Sequence, residues 1–494
     1  MASLTILKHG VYWREVPTSI LTPREAPTTA VVIGTAPIFQ AMEGTGNVNK
    51  PVLCNNFADA VRQLGYSDEQ NPDGTFKWSL CEAMFAYFQM AAVSPIVCIN
   101  VFDPENYDHK TQIAASVKPI IGSRVTLEAN VIPETLMVQD DTGSVLYTLG
   151  TDYLLSWSST GILQISVLPS GTIPQTATDL QVTYCVAKPS AITAADIIGG
   201  IDIGTGAETG LELINSIFPK FRLVPGIILA PGWSTDPSVA AIMAAKANSI
   251  NGLFKAVTYV DIPDTIGYQD VASWKSTNSY VDPMQYVCWP KVTQGDKVLH
   301  LSTVAASVTA VTDVDSSPSG IPYMSPSNKL ARITGAIQNG SAAFLGMDQA
   351  NYLNGVGITT ALNWESGWRI WGNRTGAWPD NTDPKDYFLA IRRMINWIGN
   401  SVVLQFWNKV DMPIRQILVE DITDGVNQWF NGLKSSSYIV DGELLFRPED
   451  NPVQQLADGR IIFHVKVCPF SPAEHIEFVI EYSPSYLDSL FGGS

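Results

Sequence analysis

The chain has 494 residues, 46% of them hydrophobic and 16% charged, which provides for about three domains at roughly 100–200 residues each and argues against disorder. Thirty Lys and Arg stand against 47 Asp and Glu, a net charge of −17, so nucleic acid is repelled unless folding gathers a basic patch, and no dense Lys/Arg cluster exists to make one. No stretch nears the ~18 uninterrupted apolar residues of a membrane span, and Met1-Ala2-Ser3-Leu4 is not the start of a secretion signal, so neither insertion nor export is expected.

In chain order, Val11-Tyr12-Trp13-Arg14-Glu15-Val16 reads as one strand. Pro17, Pro23 and Pro27 follow and bar a helix. A lone strand leaves its backbone groups unpaired, so it must join a distant segment or another chain. From Thr29 the pattern is α/β: a buried-type strand at Ala30–Gly34, a helix at Trp78–Met90 and a strand at Ile96–Val101. Between Tyr107 and Pro189 the period becomes two, as in Arg124–Glu128 and Gln181–Val186, with turn signals at Asp141-Thr142-Gly143 and Pro169-Ser170-Gly171. That region reads as a β-sandwich or small barrel inserted in the α/β unit. The α/β pattern returns with a helix at Gly210–Phe218, a strand at Gly226–Ala230, an Ala-rich helix at Ser238–Asn251 and a strand at Lys255–Asp261.

The last third reads as a separate unit. Asp383-Pro384 is a helix start, and Phe388, Ile391, Ile395, Ile398, Val402 and Phe406 then share one face. Arg392 and Arg393 fall off that stripe, either as a solvated face or as a docking point for an acidic partner. Two strands close the chain. One aligns Ile461, Phe463, Val465 and Val467; the other aligns Ile476, Phe478, Ile480 and Tyr482, with Glu477 and Glu481 opposite.

Catalytic chemistry finds little support. Gly204, Gly206 and Gly210 miss the dinucleotide spacing by one residue, and no Lys follows to make a phosphate loop, so a structural turn is expected. No Gly-x-Ser-x-Gly elbow occurs, and pairs such as Asp140-Asp141 read as solvated surface. The cysteines (54, 81, 98, 185, 288 and 468) form no Cys-x-x-Cys, and the five histidines are scattered. Buried thiols are expected, with disulfides formed after release from the cell as the alternative. No catalytic residue, cofactor or metal site is expected.

A set of segments in fixed order carries a family resemblance. Ser325-Pro326-Ser327-Asn328 with Gly335, Leu353-Asn354-Gly355-Val356-Gly357-Ile358, Trp371-Gly372-Asn373-Arg374-Thr375, Arg392-Arg393 and Ser471-Pro472-Ala473-Glu474-His475-Ile476-Glu477-Phe478 resemble segments of contractile tail sheath proteins. His9-Gly10-Val11 with Glu15, Gly199-Gly200, Thr205-Gly206, and Pro225-Gly226-Ile227 with Ala230-Pro231-Gly232 are similar to the opening and middle of that family. The departure is the longer Ser/Thr/Ala/Val tract from Leu301 to Val314 after Trp289-Pro290, whose local structure the resemblance leaves open.

The resemblance implies a multidomain protein, part α/β and part α+β. Its divisions would be an arm at 1–27, a discontinuous α/β middle domain at 28–106 and 190–320, an outward-facing β-rich insertion at 107–189, a C-terminal domain facing the tube at 321–475, and a second arm at 476–494. Both arms would cross to neighbours, so that Val11, Tyr12, Trp13, Val16, Ile461, Phe463, Val465, Val467, Ile476, Phe478, Ile480 and Tyr482 form exchanged or accepting strands. Arg392 and Arg393 would touch the inner tube. The implied partners are other copies in stacked hexameric rings, the inner tail tube protein, and baseplate and tail terminator proteins. The implied place is the virion, after assembly in the host bacterial cytoplasm, and the implied act is contraction that drives the tube through the host envelope for genome delivery. A tailocin or secretion-type sheath is the near alternative; an intracellular α/β enzyme is the distant one.

Overall fold

The computed structural model describes residues 28–491; the expected strand carrying Val11, Tyr12, Trp13 and Val16 lies outside them. From Thr28 the chain enters a buried strand, β1 (Thr29–Gly34), then β2 (Pro51–Cys54), α1 (Phe57–Leu64), α2 (Ser79–Met84) and β3 (Ile96–Asn100). Asn56 caps α1 by accepting from Asp59 N, and α2 runs on as a π-helical segment, Phe85–Ala91.

The insertion follows as β4 (Lys110–Pro119), β5 (Arg124–Ala129), β6 (Val131–Gln139), β7 (Leu146–Tyr147), β8 (Tyr153–Trp157), β9 (Ile162–Val167) and β10 (Asp179–Ala187). Its strands form two sheets, ordered β4-β10-β6-β7 and β5-β9-β8. Alternating residues such as Val125, Leu127, Leu163, Ile165, Leu180, Val182 and Tyr184 fill a core of their own between them. Period two in the sequence is thus a sandwich with one face of each strand turned inward.

The chain returns through α3 (Ala194–Ile198), a short ribbon of β11 (Gly200–Ile201) and β12 (Glu208–Thr209), a 3₁₀ segment Gly210–Ser216 and α4 (Ile217–Phe221). The glycine-rich stretch is the structural turn expected. Gly199 and Gly210 both have positive φ, and a Cβ on either would come within 2.0–2.4 Å of a backbone oxygen.

Next come β13 (Pro225–Leu229), α5 (Pro237–Asn248), β14 (Val257–Asp261), α6 (Val271–Thr277), β15 (Gln285–Cys288), β16 (Lys291–Gln294), β17 (Lys297–Leu299) and α7 (Leu301–Ser316). The central sheet has the order β15-β14-β13-β1-β3-β2, parallel except for β2 at the edge. Its strands are buried on both faces, which is why they read as continuous Val/Ile runs. The Leu301–Val314 tract is helical. Helix α7 is buried almost all round, so its apolar and small residues show no amphipathic stripe.

The C-terminal part contains β18 (Gly335–Gln338), β19 (Ser341–Ala343), α8 (Met347–Gly355), β20 (Thr360–Trp364), β21 (Gly367–Trp371), α9 (Pro384–Tyr387), α10 (Leu389–Phe406), α11 (Gln416–Ser435), β22 (Ile439–Phe446), α12 (Val453–Ala457) and β23 (Phe463–Pro469). The helix expected from Pro384 is broken at Phe388, whose ψ of 117° is extended; Asp383 caps only the first short piece. The architecture is a multidomain mixture of helices and several sheets.

One buried polar pair ties α2 to the start of α7. Glu82 accepts from His300 N at 2.8 Å and meets His300 Nδ1 at 2.8 Å. Burial opposes a charged imidazole there, but Glu82, helped by Asp261, outweighs it and raises the histidine pKa. A raised folded-state value means the pair stabilises fully below the ordinary histidine value of about 6.5, and this contribution fades as pH rises through the folded value. The thermal midpoint should therefore fall as pH rises above about 6.5, and His300→Gln should flatten that slope; an unchanged slope would show that His300 is not the titrating group.

Candidate assembly interface

Strands β22 and β23 form an antiparallel two-stranded sheet pairing Gly442 with Val467 and Leu444 with Val465. Helix α11 lies beneath it. A Cβ at Gly442 would come within 2.9 Å of the Phe430 ring, so the glycine lets helix and strand approach. Asn427 of α11 bonds both backbone groups of Leu444, donating to its carbonyl at 3.2 Å and accepting from its N–H at 2.7 Å. That amide stands where a neighbouring strand would, on the outer edge of β22. Among the described residues no strand and no side-chain amide bonds the outer edge of β23, which is an open row of donors and acceptors.

The expected strand Ile461–Val467 is present from Phe463 onward. Phe463 and Val467 pack against the main core, whereas Val465 is exposed and Ile461 precedes the strand. The second expected strand is absent from the described chain. Ile476 to Tyr482 carries no secondary structure, and Ile476, Phe478, Ile480 and Tyr482 all stand in solvent, Phe478 at 84% and Ile480 at 92% exposure. Among the described residues no strand pairs with this segment, so its exposed backbone groups are left to water.

The segment is pinned where it begins. Glu474 Oε2 accepts from Arg374 Nη2 at 2.6 Å. The Arg374 guanidinium also lies over Trp378 at 3.9 Å and Tyr387 at 4.9 Å, which fixes its plane. Its neighbours are equally constrained: Gly372 N donates to Ser327 Oγ at 3.0 Å, Ser325 Oγ donates to Asn373 Oδ1, and Thr375 Oγ1 donates to Asp386 O at 2.6 Å. The motifs around Ser325, Asn354, Trp371 and Glu474 thus converge on one groove of about 780 Å³, under the point where the terminal segment departs.

Arg392 and Arg393 differ from expectation. Both are buried, because α10 is covered by the main core on one side and by α11 on the other, where Trp397 meets Trp429 at 5.5 Å. Arg393 pairs with Asp313 of α7, its Nη1 donating to Oδ1 at 3.0 Å. Burial works against that charge, yet the Asp313 carboxylate outweighs it and keeps the guanidinium protonated. Arg392 bonds Asp386 at 3.1 Å and Asn396 at 3.2 Å. Neither side chain is presented to a partner, so both are withdrawn as contact residues.

Sequence reasoning passed over the segment between α10 and α11. There Trp407, Val410, Met412 and Ile414 are exposed, as is Ile417 in the first turn of α11, interleaved with Lys409 and Arg415. The available signal was a run of large apolar residues around Pro413 with neither helical nor strand period. Among the described residues, no group of His, Cys, Asp and Glu could hold a metal, and no helix is long and apolar enough to cross a membrane.

No family model matches the chain. A tail sheath protein of Burkholderia phage BcepMu is 29% identical over 98% of this chain and 99% of its own length. A putative prophage major tail sheath protein of Pseudomonas aeruginosa is 29% identical over 60% of this chain and 74% of its own. Among solved structures, the sheath complex of the extracellular contractile injection system PVC, in its contracted state, superposes with a TM-score of 0.57 over 98% of this chain and all of that one, at 12% identity.

Proposed function

We infer that this chain, which belongs to the contractile tail sheath proteins, is a structural subunit of a contractile tail sheath and not an enzyme. The observation that carries the reading is a pairing of two features near the C-terminus: an exposed, apolar, strand-patterned segment, and a two-stranded sheet whose β23 edge has no strand partner among the described residues. Each is completed by another copy. The segment from Ile476 to Tyr482 of one subunit adds to the edge of β23 in the next, with backbone hydrogen bonds worth roughly 1 kcal/mol net each. Residues 1–27 make the reciprocal crossing through Val11, Tyr12, Trp13 and Val16. The Arg374–Glu474 pair sets where the crossing segment leaves, so linked copies can tilt while their sheet stays continuous.

In this reading copies stack as hexameric rings around an inner tail tube, between a baseplate and a tail terminator, within a virion assembled in the host cytoplasm. The insertion at 107–189 faces outward, and 321–475 faces the tube. Contraction then drives the tube through the envelope using energy stored in alternative packings, with no nucleotide spent. We assign the tube contact to the exposed segment from Trp407 to Ile417 in place of Arg392 and Arg393. Negative-stain microscopy of the protein co-expressed with its tube protein should show hollow cylinders enclosing tubes. The variant Trp407→Asp/Ile417→Asp should give cylinders that are empty. Compact particles would sink the sheath reading; filled cylinders in the variant would sink only the assignment of the contact.

A further inference from the structure

Two features of the middle of the chain are left over from strand exchange. The first is the β11–β12 ribbon. It is held at its base by the close backbone approaches of Gly199 and Gly210, and by Thr209 Oγ1, to which Gly200 N donates at 3.1 Å. Its turn is fixed by Asp202 Oδ1, which accepts from Thr205 N at 2.6 Å and Thr205 Oγ1 at 2.8 Å. On this ordered support Ile203 is fully exposed and Ile201 more than half exposed. No Lys or Arg occurs between Lys188 and Lys220, so the ribbon is purely acidic, with Asp202 and Glu208.

The second is an apolar groove of about 580 Å³ along α7. Met90, Val304 and Val308 form its buried floor, and Leu330 is its exposed wall. Lys329 and Arg332 line it too, and neither has a carboxylate partner among the described residues; Arg332 donates instead to Met90 O at 2.7 Å. Asp315 is the one acidic lining residue, leaving the groove with a net positive charge.

We propose that the ribbon of one copy docks into the α7 groove of the next, with Ile203 in the groove and Asp202 and Glu208 facing Lys329 and Arg332. Single exposed isoleucines are ordinary. Here the exposed side chain sits on a rigid support and the same chain carries an apolar recess of opposite charge. The placement suits a polymer. The chain passes from β1 to β3 in one direction along the sheet and from β13 through β14 to β15 in the other. Right-handed crossovers therefore put α2 and α5 on opposite faces. Helix α7 packs with the π-helical continuation of α2, while the segment after the ribbon packs with α5. Ribbon and groove thus lie on opposite faces of the sheet. Such a contact is heterologous, cannot close on itself in a pair, and repeats from copy to copy.

The inference rests on the reading that copies polymerise, but not on strand exchange. In a Cys468→Ser background, chains carrying Ile203→Cys and chains carrying Val311→Cys, which lines the groove, are mixed, assembled and oxidised. A disulfide-linked dimer at least ten times more abundant in the mixture than in either chain alone is the expected result. Separately, Lys329→Glu/Arg332→Glu should abolish sedimentable polymer, and Glu208→Lys in the same chain should restore it. Polymer without the dimer overturns the contact and leaves strand exchange standing; failure to polymerise in the unaltered chain overturns both. A dimer that forms only after residues 1–27 are deleted assigns the groove to those residues, and that too overturns the proposal.

Discussion

A chain ending at His475 is expected to fold as a monomer with an unchanged thermal midpoint and to form no polymer at all. The large apolar side chains removed from the strand-patterned stretch, Ile476, Phe478, Ile480 and Tyr482, are exposed before the truncation is made, and the His475–Glu477 pair that goes with them is a surface contact at 3.7 Å. What is lost is their burial on another copy, about 1.5–3 kcal/mol for each side chain fully covered, with the backbone bonds of the added strand. Fixing the segment costs about 1–2 kcal/mol per residue, so the apolar faces decide the sign. Sedimentation velocity and calorimetry on the same sample separate the two effects. A lowered midpoint would mean the segment belongs to its own domain; persistent polymer would mean that other contacts hold the sheath together.

The second large effect lies in the core. Arg393→Met should destabilise the chain by about 3–5 kcal/mol, because it leaves the Asp313 carboxylate buried without its partner. Both side chains are almost wholly enclosed, at 2% exposure each, and the pair bridges α7 of the central body to α10 of the C-terminal part. The double variant Arg393→Met/Asp313→Leu should recover most of the loss, since two apolar groups of similar volume have no charge to desolvate. Urea unfolding checks this. A loss below about 1 kcal/mol in the single variant would place Arg393 near solvent and return it to the list of contact residues.

These two experiments mark how far the sequence reached. The apolar alternation of Ile476 to Tyr482 was legible as strand patterning, because period two depends only on neighbouring residues, yet the described chain forms no strand there. The insertion was legible for the same reason, since each strand turns one face to a core of its own. Arg392 and Arg393 misled because an arginine off an apolar stripe normally means solvent; here the far side of α10 also meets protein. The helix at Leu301–Ser316 escaped because burial all round erases the amphipathic period.

The sequence by itself determined the periods: parallel strands as unbroken apolar runs, sandwich strands as alternation, and the alternation of Ile476 to Tyr482 near the C-terminus. Each depends only on residues near one another in the chain. Tertiary structure decided which charges are enclosed, that motifs more than a hundred residues apart meet in one groove at Arg374, and which β-edge has no strand partner among the described residues. Those depend on what packs against the far side of an element, and no local pattern records that.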